Sequence, residues 1–371
     1  MDYINTPDPQ KLSSLLNTLE QSHTLPLSGY EYLITHRSQE TASILAEKAA
    51  SLRRRIYGNT VYIRGLIEIS NICKNNCLYC GIRKDNRECS RYRLTAEEIL
   101  ECCAEGYALG FRTFVLQSGE DPALTDEAMC SVIRQIKQRH PDCAITLSLG
   151  ERSRSSYQRL FDAGADRYLL RHETANASHY RQLHPPDMSF DRRMQSLQDL
   201  RAIGYQTGCG FMVGSPYQTA ATLAQDLKFI ETFRPDMCGI GPFIPHKATP
   251  LRHMPAGDAD LTCFLLSILR LIHPLTLLPS TTALGTIAPD GREKGILAGA
   301  NVIMPNLSPC AVRKKYELYN NKLCSGAESA QGIDSLAQRM AAIGYEIVTD
   351  RGDAAAYENS RLQNIGYAQP K

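Results

Sequence analysis

The chain has 371 residues, with 41 Lys and Arg against 39 Asp and Glu, 43% hydrophobic residues and no tryptophan. That length suits one α/β barrel or two smaller domains. The balanced charge gives no electrostatic basis for nucleic acid or a membrane surface as a principal partner. No apolar run reaches the roughly 18 residues a membrane span needs. The opening MDYINTPDPQKLSSLLNTLE lacks a basic and then apolar leader, so a cytoplasmic location is expected. The 13 cysteines then read as free thiols and metal ligands rather than a disulfide framework.

In chain order, residues 1–57 predict a helical extension, with DPQKLSSLLNTLEQ first and then LSGYEYLITHRSQETASILAEKAASLRRRIYG. Arg53, Arg54 and Arg55 read as a solvated helix end, where positive charge meets the C-terminal dipole. After Gly58, short apolar runs alternate with amphipathic stretches closed by glycine. The runs lie at 61–70, 111–118, 144–150, 165–173, 206–214, 237–245, 275–284 and 301–307. Helix patterns between them include TAEEILECCAEGYALG, with a Thr95 cap and an acidic first turn, SLQDLRAIG and AATLAQDLKFIETF. Strand-and-crossover units repeated in this way predict an α/β fold, a TIM-type (β/α)8 barrel. A doubly wound open sheet is the alternative. Ser70, Gln117, Glu151, His172, Glu173, Pro242 and Thr282 fall late in the runs, on the face where a barrel carries its site. The expected division is a helical extension over 1–57, a barrel over 58–310 and a short helical tail over 311–371 closing the barrel. The tail's clearest helix is GIDSLAQRMAAIGYEI.

The stretch EISNICKNNCLYCGIRKDN gathers Cys73, Cys77 and Cys80 in a C-x3-C-x2-C spacing with no fourth cysteine close by. Thiolate softness selects iron–sulfur, zinc or copper(I). A structural zinc site needs four ligands, commonly as two close pairs, whereas Cys310 and Cys324 are isolated. A 4Fe–4S cube held by three thiolates leaves one iron open to substrate or cofactor. The competing reading is a structural metal knuckle, or an electron-transfer cluster with a remote fourth ligand. Cys102, Cys103, Cys130 and Cys263 read as plain buried small residues.

This spacing, with Tyr79 before the last cysteine, resembles the radical S-adenosylmethionine superfamily. The run Gln117–Ser118–Gly119–Glu120 is similar to that family's motif for the methionine amino group. Within the superfamily, residues from about 60 to 325 resemble the maturases of FeFe-hydrogenase, the HydE family. The resemblance rests on SNICKNNCLYCGIRKDN, RYRLT, VLQSGEDP, TLSLGE, ADRYLLRHETAN, GIGPFIPHKATPL, TTALGT and GANVIMPNLSP. Biotin synthase and methylornithine synthase share parts of these motifs, whereas RHETAN and IGPFIPH…TPL favour the maturase.

The resemblance implies one 4Fe–4S cluster on Cys73, Cys77 and Cys80, and S-adenosylmethionine chelated to the open iron. The reduced cluster would cleave the sulfonium to a 5′-deoxyadenosyl radical. Glu173 is expected at the ribose or amino group and Arg193 at the carboxylate, where a planar fork suits the task. The alternative for Arg193 is a surface helix arginine, with Arg192 its solvated neighbour. Met212 is expected along the adenine, and Tyr79 to supply backbone contacts to it. Arg64, Arg167 and Arg171, with Thr146, Thr281, Thr282, Tyr316 and Tyr319, match cavity positions of the family. Together they predict a cationic, hydroxyl-lined chamber for a small anionic substrate. The implied reaction is attack on the sulfur of an iron complex carrying carbonyl and cyanide. Implied partners are a one-electron donor such as flavodoxin or ferredoxin and the other hydrogenase maturases.

Some family members carry a C-terminal C-x7-C-x2-C set for a second cluster. Here Cys324 stands at the first position, with Gly332 and Ser335 at the others, so a single cluster is expected. Two readings compete with the maturase: a biotin synthase- or methylornithine synthase-like enzyme, and a non-enzymatic iron–sulfur scaffold. Cys143, Cys209 and Cys238 show no clear arrangement for an extra cluster in the barrel.

Overall fold

The computed structural model describes residues 8–355. Helices α1 (Pro9–Ser22), α2 (Leu27–Thr35) and α3 (Gln39–Tyr57) form the leading layer. The Asp8 carboxylate accepts from the backbone of Gln10 and Lys11 to start α1, and Ser38 and Thr41 form a reciprocal cap on α3. The long helical stretch is therefore cut at residues 36–38. Only part of the arginine triplet is solvated. Arg54 and Arg55 are exposed, whereas Arg53 is buried. Its guanidinium donates to the carbonyls of Gly58 and Thr60 and stacks 4.3 Å from the Tyr345 ring, fixing the turn from α3 into the barrel.

The strands are β1 (Thr60–Ile63), β2 (Gly65–Ser70), β3 (Thr113–Ser118), β4 (Ala144–Ser148), β5 (Arg167–Leu169) and β6 (Gln206–Cys209). They continue with β7 (Met212–Val213), β8 (Met237–Cys238), β9 (Gly241–Pro242), β10 (Val302–Ile303) and β11 (Glu346–Val348). A parallel sheet runs β2-β3-β4-β5-β6-β8. Parallel bridges Met237↔Leu277, Pro279↔Val302 and Leu66↔Asn306 continue it back to β2, so the ring closes as a barrel. Helices α4 (Ala96–Ala108), α5 (Asp126–Arg139), α6 (Arg154–Asp162), α7 (Ala177–Leu183), α8 (Phe190–Ile203), α9 (Ala220–Phe233) and α10 (Ala259–Ile272) form the crossovers. The shorter α11 (Thr282–Ile287), α12 (Gly291–Leu297) and α13 (Cys310–Arg313) follow, and α14 (Ile333–Ala342) lies in the tail. The expected Thr95 cap is present, reciprocated by Glu98.

Three further expectations need correction. The run 61–70 breaks at Arg64, because β1 turns away to pair with β10 and β11 while β2 pairs with β3. The seventh run does not extend as strand to residue 284, since Thr282 already begins α11. The tail is not wholly helical: after α14 the chain turns at Gly344, at φ 82°, and β11 joins β1. Residues 349–355 then fill the N-terminal end of the barrel. Arg167 pairs there with Asp353, and Arg351 pairs with Asp166 and Asp353. Thr113 donates to the Arg351 carbonyl, and Arg64 to that of Gly352.

Candidate active site

At the opposite end, β2 delivers the chain into a loop that departs after Ser70 and returns at Arg93, where the two form an antiparallel bridge. The loop holds Cys73, Cys77 and Cys80, all free, and their thiols line one cavity of about 350 Å³. Burial pushes the Cys77 thiol up to about 12 and raises Cys73 and Cys80, with neighbouring thiols adding to the shifts of Cys77 and Cys80. Iron bonding would favour the thiolates against that burial. Among the described residues no three His, Cys, Asp or Glu side chains converge on a single-ion site. Three soft thiols opening into one cavity are a donor set suited to an iron–sulfur cluster, which Cys73, Cys77 and Cys80 would hold. Backbone contact also shapes the site. A Cβ on Gly119 would sit 2.4 Å from the Ile72 carbonyl and 2.7 Å from Cys73 Cβ, so the turn after β3 passes directly beneath the cysteine loop.

The expected cofactor residues surround the same cavity. Tyr79, Gln117, Ser118, Gly119, Glu120, Glu173, Arg193 and Met212 all line it. Glu173 is buried at φ 65°, a backbone state uncommon outside glycine, held by its N–H to the Gly210 carbonyl and its carbonyl to Met212. Its Oε2 is buried without a hydrogen bond and lies 3.2 Å from Arg171 Nη2. Arg193 is buried on α8, and Arg192 is the exposed neighbour. Arg193 Nε donates to Glu151 Oε1 at 2.5 Å and Nη1 to the Arg171 carbonyl at 2.6 Å, leaving Nη2 without a hydrogen bond among the described residues. Burial opposes its charge, but Tyr180 and Glu151 outweigh this and hold it firmly cationic. Glu120 is engaged: Lys74 lies 3.2 Å away, and Oε1 accepts from the Glu151 backbone at 2.9 Å. Leu183, Met212, Phe243 and Leu251 form an apolar cluster against which Leu78 and Tyr79 pack. The Tyr79 hydroxyl lies 3.3 Å from His184 Nε2, whose ring burial keeps neutral by lowering its pKa to about 3.

The expected substrate residues fall into two groups. Arg171, Thr281, Thr282, Tyr316 and Tyr319 line the large cavity. Arg64, Thr146 and Arg167 line a separate pocket of about 10 Å³ at the plugged end. The three arginines therefore do not share one chamber. Arg167 is neutralised by Asp353, and Arg64 donates to Met237 Sδ at 2.8 Å and the Gly352 carbonyl at 3.2 Å.

Three further charged chamber residues, Glu68, Arg292 and Lys322, had not been identified. Lys322 pairs with Glu68, whose other oxygen accepts from Asn306 at 2.9 Å. Arg292 pairs with Glu328 and donates to Thr282 Oγ1 at 3.0 Å. The chamber is thus less cationic than expected, since Arg171, Arg193, Arg292 and Lys322 each face a carboxylate. Glu68, a carboxylate within an otherwise apolar strand, was a visible signal. Lys322 and Glu328, the partner of Arg292, had none, because both come from the tail. Tyr316, Leu318, Tyr319 and Lys322 line the chamber from one strap. It is fastened by Gly81 N–H to the Leu318 carbonyl at 2.8 Å and Asn320 N–H to the Pro245 carbonyl at 3.2 Å.

Comparison with known proteins gives the family. Residues 67–230 match the family model of the Radical SAM superfamily. The chain is 48% identical over 280 residues to the FeFe hydrogenase maturase subunit HydE of Thermotoga maritima, covering 76% of this chain and 80% of that one. It is 28% identical over 335 residues to 3-methylornithine synthase of Methanosarcina barkeri, covering 90% and 93%. The crystal structure of methylornithine synthase (PylB) superposes with a TM-score of 0.77 at 24% identity, over 94% of this chain and 99% of that one, which shows a common fold. When bound, the cluster would supply the electron that cleaves S-adenosylmethionine; Cys73, Cys77 and Cys80 would hold it, and the cavity lining would wall it in. The chain belongs to the radical S-adenosylmethionine superfamily and, within it, to the HydE family, whose cofactors are a 4Fe–4S cluster and S-adenosylmethionine.

Proposed function

We propose that this enzyme directs its radical at a small anionic, sulfur-containing iron carbonyl and cyanide complex during assembly of the FeFe-hydrogenase active-site cluster. It would act with the other maturases and a one-electron donor such as flavodoxin or ferredoxin. One observation carries the substrate class. Arg171 Nε and Thr281 Oγ1 are buried without hydrogen bonds, Arg171 Nη2 meets only the Glu173 carboxylate at 3.2 Å, and both residues line the large cavity. Buried donors rarely stay unpaired, and an anion seated between them would complete their bonding. The proposed cofactor contacts are Arg193 and Glu173, with Gln117, Ser118, Gly119 and Glu120 beneath the cluster and Tyr79 and Met212 beside the adenine.

Thr281→Val keeps the shape of the side chain and removes the orphaned hydroxyl. Together with Arg171→Met it tests the reading in a reconstituted maturation mixture. Both variants should still form 5′-deoxyadenosine without substrate, and both should lose hydrogenase activation. Wild-type maturation by either would remove that residue from the substrate site. The likeness to 3-methylornithine synthase supports a second reading, formation of a small amino acid. That reading wins if the wild-type protein never supports maturation and makes such a product.

A further inference from the structure

The cysteine loop must hold three thiolates in place with no helix or strand of its own between Ser70 and Arg93. We infer that Arg91 is the positioning residue of this loop: its guanidinium ties the outgoing limb to the returning limb, and its charge eases reduction of the cluster. Nη1 donates to the Asn71 carbonyl at 2.6 Å and the Ile82 carbonyl at 2.8 Å. Nη2 donates to the Arg83 carbonyl at 2.6 Å and the Asn86 carbonyl at 3.2 Å. Asn71 lies two residues before Cys73, and Ile82 two residues after Cys80, so one planar group spans both sides of the ligand set. Asn71 reinforces the closure, its Oδ1 accepting from Tyr92 N–H at 2.8 Å and its Nδ2 donating to the Ser90 carbonyl at 2.9 Å.

The acceptors matter as much as the geometry. All four hydrogen bonds of Arg91 end on carbonyls, and it forms no ion pair among the described residues. Arg93 differs, since Asp121 neutralises it through both carboxylate oxygens at 2.7 Å. Arg91 therefore brings a net positive charge into the loop. Three thiolates and a cube carry net negative charge that grows by one on reduction, so a nearby fixed cation favours the reduced state. A lysine can supply that charge but cannot span four carbonyls with a planar fork.

The inference rests on Cys73, Cys77 and Cys80 being the cluster ligands, and the two claims fail differently. Cys77→Ala losing its iron supports the ligand assignment whatever Arg91 does. The test of Arg91 uses the full-length chain, reconstituted anaerobically as wild type, Arg91→Lys and Arg91→Met. Iron release to a chelator and a redox titration followed by electron paramagnetic resonance are the readouts. Both variants should release iron at least several-fold faster than wild type. At a fixed potential, Arg91→Met should hold about tenfold less reduced cluster, a midpoint lower by about 59 mV for one electron. Arg91→Lys should stay near the wild-type midpoint. If Arg91→Met retains no cluster, faster release with an unmoved midpoint in Arg91→Lys carries the inference. Wild-type release and midpoint in Arg91→Met would overturn it, and so would equal midpoint shifts in both variants.

Discussion

Replacing Asp353 with alanine separates a structural barrel floor from a substrate-binding one. The Arg167 and Asp353 side chains are 4% and 3% exposed and form an ion pair. Asp353 also accepts from Arg351 Nε at 2.9 Å and Gln206 Nε2 at 2.7 Å. Burial pushes the Asp353 carboxyl up, but the Arg167 charge and the bonds from Arg351 and Gln206 outweigh it and hold it well below the usual range. Asp353→Ala leaves Arg167 buried beside Arg64, whose own charge burial already disfavours. Breaking such a pair from one side costs about 3–5 kcal/mol. Unfolding entropy near 2.1 cal/mol/K per residue, over 371 residues, converts this to a Tm drop of about 4–6 °C. Thermal melts at pH 7 measure it, alongside 5′-deoxyadenosine formation, which should be unchanged at temperatures well below the transition. A folded carboxyl with a depressed pKa stabilises above its unfolded value near 3.9 and loses that contribution as pH falls. The wild-type and variant melting temperatures should therefore converge in acid. An unshifted Tm with loss of maturation would refute the reasoning and return Arg64 and Arg167 to the substrate site.

Arg193→Ala should weaken S-adenosylmethionine binding more than tenfold with iron content intact, because a charge-assisted partner is worth about 2–5 kcal/mol when the other group stays buried; equilibrium binding at unchanged affinity would move the carboxylate contact elsewhere. His172, His184 and His273 are each lowered to about 3, chiefly by burial and then by nearby arginines. Stability should fall as pH drops below about 6.5, by up to about 1.4 kcal/mol per pH unit for each ring, since the unfolded chain binds the protons first. Flat melting temperatures between pH 7 and 5.5 would contradict this. Gly119→Ala should impair cluster uptake, because its Cβ has no room under Ile72 and Cys73; full iron loading at the wild-type rate would show that the loop yields.

The parts of this structure legible in the sequence are those encoded locally. The cysteine loop declares itself through three thiols in one short stretch, and the barrel through strand runs separated by capped helices such as α4. Depth along a strand was also readable: Arg64, Thr146 and Arg167 stand early in their runs, toward the plugged end, whereas Arg171 and Glu173 stand late. Alternation says that a side chain faces inward, not how far it lies from the catalytic face. Asp353, Lys322 and Glu328 could not be read, because each meets its partner across a large sequence separation. Arg53 shows the converse error. A basic helix end reads as solvated until the following turn, with Tyr345, folds over it.

Formation of 5′-deoxyadenosine tests the central claim most directly. The reconstituted protein, given dithionite and S-adenosylmethionine under anaerobic conditions, should bind about four irons and four sulfides per chain and release 5′-deoxyadenosine and methionine. Cys77→Ala should do neither. A fully loaded wild-type protein that leaves S-adenosylmethionine intact, or a Cys77→Ala variant that still cleaves it, would contradict the assignment of this loop as the radical-generating site.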